Sequence, residues 1–201
     1  MNLKEILLGE MELHSSIVED GLTCLLHSIL FVRAPGPVRP VDSHCSSLEP
    51  LTFAKCGVPD IDKAVKDAIE SFQLSLCRVS PNNSKGVVVL SFYEKRSSRG
   101  FFGLTNNEEK VYFERWKIPV IVNDEVFRPD DINDKIELKR IRDFGREQIQ
   151  QRMMTIIESV NASMDHVPPS MYEYDFNYAE RRDQHSIMSK IVYPPALFNP
   201  V

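Results

Sequence analysis

The 201-residue chain has no surplus of basic residues, with 24 Lys and Arg against 29 Asp and Glu, a net charge of -5 and a pI near 5.6. A nucleic-acid surface needs clustered Lys and Arg to displace counterions from phosphates, so that class of partner is not expected. Long hydrophobic runs are also missing. The richest stretch, Leu22 to Val32, is broken by polar residues and falls short of the roughly 20 apolar residues that cross a bilayer. The opening MNLKEILLGEME carries Glu5 and Glu10 and no small-residue cleavage site, which does not read as a secretory signal, and a cytosolic protein is expected. Cysteine is scarce: Cys24, Cys45, Cys56 and Cys77 form no CxxC pair, and Cys24 and Cys77 fall in helix-like segments, so no disulfide framework is read.

Catalytic patterns are equally thin. His44 and Cys45 are adjacent, but neighbours on an extended chain point to opposite sides, whereas a thiol nucleophile needs its base beside it in space. His44, Cys45 and Cys56 lack the paired short spacing and fourth ligand of a closed zinc site. His14, His27, His166 and His185 are isolated. Gly100 and Gly103 are followed by acidic residues, without the Gly-Lys-Ser/Thr ending of a phosphate loop. Neither an enzyme, a cofactor nor a metal is expected.

What the sequence does contain is ordinary globular material, 42% apolar and 26% charged. Met1 to Leu13 offers either a short first strand, with Leu7, Gly9, Met11 and Leu13 on one side, or a helical turn over LKEILL. Ser16 and Glu19 have capping-box spacing, and Val18, Leu22, Leu25, Ile29 and Val32 make one face of a helix over about Ser16 to Arg33. Pro35, Gly36, Pro37 and Pro40 end it. Ala34 to Pro50 shows no periodicity and reads as a surface excursion, followed by a brief strand over Leu51 to Cys56. Pro59 suits a first helical position, Asp60 and Asp62 suit the positive end of a helix, and Ile61, Val65, Ala68, Phe72 and Leu76 share a face.

Val87 to Tyr93 and Val111 to Val122 read as two strands of a long hairpin, the second with Tyr112, Trp116, Ile118, Val120 and Val122 on one face. Pro119 implies an edge, a bulge or a break there. Asp134 and Glu137 have capping spacing before the longest helix, about Asp134 to Asn161, whose stripe is Leu138, Ile141, Gly145, Ile149, Met153, Ile156 and Val160. Phe144, Met154 and Ile157 widen the apolar surface, which fits either a second, partner-facing side or a wholly buried helix. Met171 to Glu180 has no clear period, and Ile187 to Tyr193 reads as a last strand.

Between the hairpin strands, Lys95 to Lys110 (KRSSRGFFGLTNNEEK) puts Phe101 and Phe102 where a loop is normally polar. Three readings stay open: the rings dock in a protein pocket, dip into a membrane, or fold back on the hairpin. Burying both would contribute about 3 to 6 kcal/mol, and each nearby Lys or Arg about 1 kcal/mol on an anionic surface. Either sum suits a contact made within a larger assembly.

This order of elements resembles a HORMA domain, an α+β fold with an antiparallel sheet packed by about three helices, one of them long. Within that fold it is similar to the autophagy-related protein 101 family. The resemblance lies in MNLKEILLGEM, IVEDGLTCLLHSILFVR, LTFAKCGVPDIDKAVKDAIESF, LSFYEKRSSRGFFG and IIESVNASMDHVPP. It implies a single domain over residues 1–201 with a projecting finger near 95–110, and a non-catalytic adaptor subunit of the autophagy-initiation complex. Such an adaptor would be cytoplasmic, at the preautophagosomal structure. It would pair with and stabilise the HORMA domain of autophagy-related protein 13 and recruit downstream factors through the finger. The family's finger carries Trp-Pro-Phe; here Phe102 matches the aromatic, while Gly100 stands at the tryptophan position. Because HORMA pairs meet through their long helices, the resemblance points to Leu138, Ile141, Ile149 and Met153 as a partner face. It also implies an unclasped form in which Ser186 to Tyr193 is a fixed strand. A membrane-binding adaptor whose Phe101 and Phe102 enter lipid is the alternative.

Overall fold

A computed structural model describes residues 3–99, 106–128 and 130–179. In chain order the elements are β1 (Lys4–Leu7), β2 (Met11–His14), α1 (Ser15–Val32), β3 (Val41–His44), β4 (Thr52–Lys55), α2 (Pro59–Leu74), β5 (Cys77–Arg78), β6 (Asn83–Arg99), β7 (Asn106–Asn123), α3 (Ile132–Ala162) and β8 (Glu173–Ala179). The sheet runs β1/β2, β7, β6, then β5 and β8 side by side along β6. Its β6–β7, β6–β8 and β5–β6 pairs are antiparallel, and β1 and β2 run parallel to β7. This α+β architecture, with three helices of which one is long, is consistent with the HORMA-like fold that the resemblance implies.

The helices lie on one face of the sheet. Val88, Leu90 and Phe92 of β6, Trp116, Ile118, Val120 and Val122 of β7, and Tyr174 and Phe176 of β8 point into the core with α1 and α2. Helix α1 is the most enclosed element, with ten buried residues from Ile17 to Leu30. Its 18 residues, at mean hydropathy 1.3, are long and apolar enough to cross a membrane, more than the broken run Leu22 to Val32 led one to expect. Its burial within the fold accounts for that composition. The α1 cap also differs from the expected Ser16: His14 Nδ1 accepts from Ser16 N at 3.2 Å, and its Nε2 donates to Glu125 O at 2.8 Å. An imidazole thereby does what a hydroxyl usually does.

Helix α2 begins with Pro59 at its first turn, as its sequence dictates, and buries Ile61, Val65, Ala68 and Phe72. Gly86 lets it approach the sheet, since a Cβ there would lie 2.8 Å from Phe72 Cε2. Cys77, read as helical, lies beyond α2 in β5. The Ala34 to Pro50 stretch contains β3, paired with β4 as a separate two-stranded ribbon, and Met171 to Glu180 contains β8. The first was missed because Val41–His44 shows no alternation, whereas the second corrects the reading of Met171 to Glu180 as aperiodic: Tyr172, Tyr174, Phe176 and Tyr178 alternate with Glu173, Asp175 and Asn177. The expected strand Ile187 to Tyr193 lies outside the described residues.

Strand β7 departs from its sequence pattern in two ways. Phe92 pairs with Glu114 and Tyr93 with Tyr112, so Phe113 is an extra, bulged residue. The bulge moves Tyr112 off the core face and onto the open face, where its hydroxyl donates to Asp175 Oδ2 at 2.7 Å. Pro119 is paired on one side with Val87 and is not in an edge strand. Leu8 N donates to Lys117 O, which puts the Pro119 nitrogen on the β1/β2 side. There the neighbouring strand is interrupted: β1 ends opposite Lys117 and β2 begins opposite Val120, so the missing N–H has no ladder partner to deprive.

Candidate partner interface

Helix α3 is 31 residues, about 46 Å at 1.5 Å per residue. Asp131 caps it, accepting from Asn133 N at 2.8 Å, while Asp134, the expected cap, accepts from Arg128 N. It packs on α1 and β2 and does not span the sheet. The contact with α1 is parallel and close. A Cβ on Gly145 would sit 2.3 Å from Ile17 Cδ1, and one on Gly21 would sit 2.9 Å from Ile149 Cδ1, so each isoleucine fills the notch of a glycine on the other helix. Farther along, Cys24 Sγ donates to Met153 Sδ at 3.4 Å.

Polar side chains of α3 then cover the free edge of β2 and of the link that leads into it. Gln148 accepts from Glu12 N at 3.0 Å and donates to Glu12 O at 2.7 Å, as a neighbouring strand would. Arg152 donates to Gly9 O and Glu10 O. Covering an edge in this way protects it from pairing with another chain.

The predicted partner residues are therefore not one accessible face. Ile149 is fully buried against α1, Met153 packs against the core, and Leu138 and Ile141 are half-buried. Exposed instead are Ile132, Ile136, Phe144, Met154 and Ile157, from 46% to 72%. At 3.6 residues per turn Ile132, Ile136, Met154 and Ile157 fall within a sector about 60° wide, turned away from the α1 contact. Asp143, Glu147 and Gln150 lie between the two apolar ends. The pairing of Ile17 with Gly145 aligns the start of α1 with the middle of α3, so residues 132–142 run on past α1, and none of them is buried.

Phe101 and Phe102 lie outside the described residues. The strands that lead to them are paired up to Arg99 and Asn106. At the ribbon's base, Asp175 accepts from Lys110 at 3.2 Å, Lys110 stands 4.2 Å from the centre of the Tyr93 ring, and Lys95 pairs with Glu173 at 2.7 Å.

A second constellation escaped the sequence reading. Arg33, just past α1, donates from Nε to Glu114 Oε1 at 2.8 Å and from Nη2 to Oε2 at 2.9 Å, and both side chains are fully enclosed. Trp116 Nε1 and His166 Nε2 also reach the Glu114 carboxylate, and Tyr172 donates to Arg33 O at 2.6 Å. Burial opposes the charge on Glu114, yet Arg33, helped by His166 and Trp116, outweighs it and holds the carboxyl below the usual range. The available signal was parity: Glu114 shares the inward side of Trp116 and Ile118, where a charge needs a partner.

Among the described residues no group of three or more His, Cys, Asp or Glu is placed to hold a metal ion. His44 is exposed and Cys45 buried, so the pair points apart. Contact with Cys45, then burial, pushes the Cys24 thiol up, which makes it a poor nucleophile.

A family profile described as Autophagy-related protein 101 matches residues 10–173. The chain is also 30% identical, over 182 residues, to Autophagy-related protein 101 of Arabidopsis thaliana, an alignment that covers 84% of this chain and 81% of that protein. With most of its length matched in both comparisons, the chain belongs to the Autophagy-related protein 101 family.

Proposed function

We propose that this protein is a non-catalytic adaptor of the autophagy-initiation complex, cytoplasmic and acting at the preautophagosomal structure, in which α3 docks the HORMA domain of autophagy-related protein 13 and stabilises it. The observation that carries the reading is the exposure of Ile132, Ile136, Met154 and Ile157 on one side of a helix whose other side is locked to α1. Apolar residues on a rigid helix face supply area to a partner at little ordering cost. In the same reading Phe101 and Phe102 recruit downstream factors once the subunit is held in the complex.

The test is co-purification of the full chain with the partner HORMA domain. Met154→Glu with Ile157→Glu is expected to reduce capture at least tenfold, since two apolar contacts of about 1 to 2 kcal/mol each are lost. The same double variant should leave stability within about 0.5 kcal/mol, because both side chains face water. A wild-type chain that captures no HORMA partner overturns the proposal. Phe101→Ser with Phe102→Ser is expected to keep capture and lose recruitment of downstream factors. A loss of liposome flotation alone would instead favour the membrane reading.

A further inference from the structure

The prolines that end α1 also shape the chain beyond it. Gly36, at φ 127°, turns the corner, and Pro37 and Pro40 then stand three residues apart. Each proline ring fixes its own φ at about −65°, and Pro40 keeps Arg39 out of the helical region, so the segment is extended in the manner of polyproline II. Such a helix makes no hydrogen bonds of its own. The backbone of residues 37–40 makes none among the described residues. Both ends are nonetheless held. The segment follows α1 directly, and β3 begins at Val41. Gly57, between β4 and α2, stands against it, since a Cβ there would lie 3.2 Å from Arg39 O and 2.8 Å from Val41 Cγ2.

A polyproline II helix has three residues per turn, which sorts the side chains. Residues 37 and 40 share one edge, while 38 and 39 take the other two. Val38 is half-buried and packs on the core, whereas Pro37, Arg39 and Pro40 are exposed. Val38 is thus the anchor that turns both prolines and the guanidinium toward water. Proline ridges of this pitch seat in grooves lined by aromatic rings, and a segment whose dihedrals are already set loses little freedom on binding. A ligand in such a groove keeps one of its three edges off the partner. Here that edge belongs to Val38. Residues 36–40 have neither adjacent prolines nor an aromatic residue, so the Pro-x-x-Pro spacing with a basic side chain fits a groove of the SH3 type.

We propose that residues 37–40 are a docking ridge for an SH3-type domain of another protein, with Pro37 and Pro40 in its aromatic pockets and Arg39 against an acidic side chain of the partner. The ridge uses no residue of α3, and its test does not depend on the HORMA partner.

The test titrates the full chain into a panel of isotope-labelled SH3 domains, with WW and EVH1 domains as the other readers of proline-rich segments, and follows chemical shifts. Saturable shifts at the groove aromatics of at least one SH3 domain are expected. Pro37→Ala with Pro40→Ala should weaken that binding by about tenfold or more, with the thermal midpoint checked. Arg39→Glu keeps both prolines and should weaken it by about fivefold. Should the double variant melt lower, Arg39→Glu decides. Leu74→Ser, at a side chain 90% exposed on another element, should leave binding unchanged. Absence of binding to every SH3 domain, or binding confined to WW or EVH1 domains, would overturn the proposal. So would SH3 binding that survives the substitutions at Pro37 and Pro40 or at Arg39.

Discussion

Arg33 and Glu114 lie wholly out of solvent, a circumstance that makes their pair more a constraint than a net source of stability. Desolvating two charges consumes most of what their attraction returns, but removing one partner strands the other. Arg33→Met is expected to destabilise by about 3 to 5 kcal/mol. The double variant Arg33→Met, Glu114→Met should recover much of that loss, as measured by urea unfolding. His27 is buried in a different way. Desolvation lowers its pKa to about 4, against the nearby Asp62, and it stays neutral, stacked on Phe53. The folded state therefore binds fewer protons than the unfolded state between about pH 6.5 and 4. Stability contributed by the neutral ring is complete above that window and lost as pH falls through it, by about 2 kcal/mol near pH 5. The depressed carboxyl of Glu114 acts in the same direction at lower pH. His27→Leu should flatten the loss between pH 7 and 5, while one as steep as in the wild type would show that another group carries it.

At the level of elements, the α1–α3 contact depends on two glycines that the sequence showed only as gaps in a stripe. Gly145→Ala improves helix propensity by up to about 1 kcal/mol, yet it drives a methyl into Ile17, which is fully buried and has little room to yield. A net loss of about 1 to 3 kcal/mol is expected. Because the clash is with Cδ1, Ile17→Val should relieve it, and the double variant should fall short of the summed single effects by on the order of 1 kcal/mol in denaturant melts. Helix positions were legible because α1, α2 and α3 each carry a 3.6-residue apolar rhythm between proline or aspartate boundaries. Which side of α3 meets the core was legible too, at Gly145, Ile149 and Ile156. That the exposed apolar sector lies elsewhere on the helix was not. Buried and docking surfaces share one composition, and only the position of α1 tells Ile149 from Met154.

Across the whole molecule, three distant segments meet at Glu114: the end of α1, the middle of β7, and the chain between α3 and β8. Neither Arg33 nor His166 carries a local sign of that meeting, since the pairings span 81 and 52 residues. Strand β8, by contrast, was legible and overlooked. Tyr174, Phe176 and Tyr178 face the core in strict alternation with Glu173, Asp175 and Asn177, the period-two pattern of a strand with one apolar face, and Asp175 on the other face is enclosed by Lys110 and Tyr112.

The bulge at Phe113 sets a phase. A pleated strand alternates its side chains with period two, so one inserted residue reverses the facing of every β7 position beyond it, from Tyr112 toward the tip, while β6 keeps its own. Deleting Phe113 would remove the extra residue and leave Tyr112 and Lys110 on the open face in their present register, whereas flattening the bulge with Phe113 retained would turn both inward and Val111 outward. The ribbon can be lengthened or shortened in steps of two residues per strand, but a step of one would re-aim it.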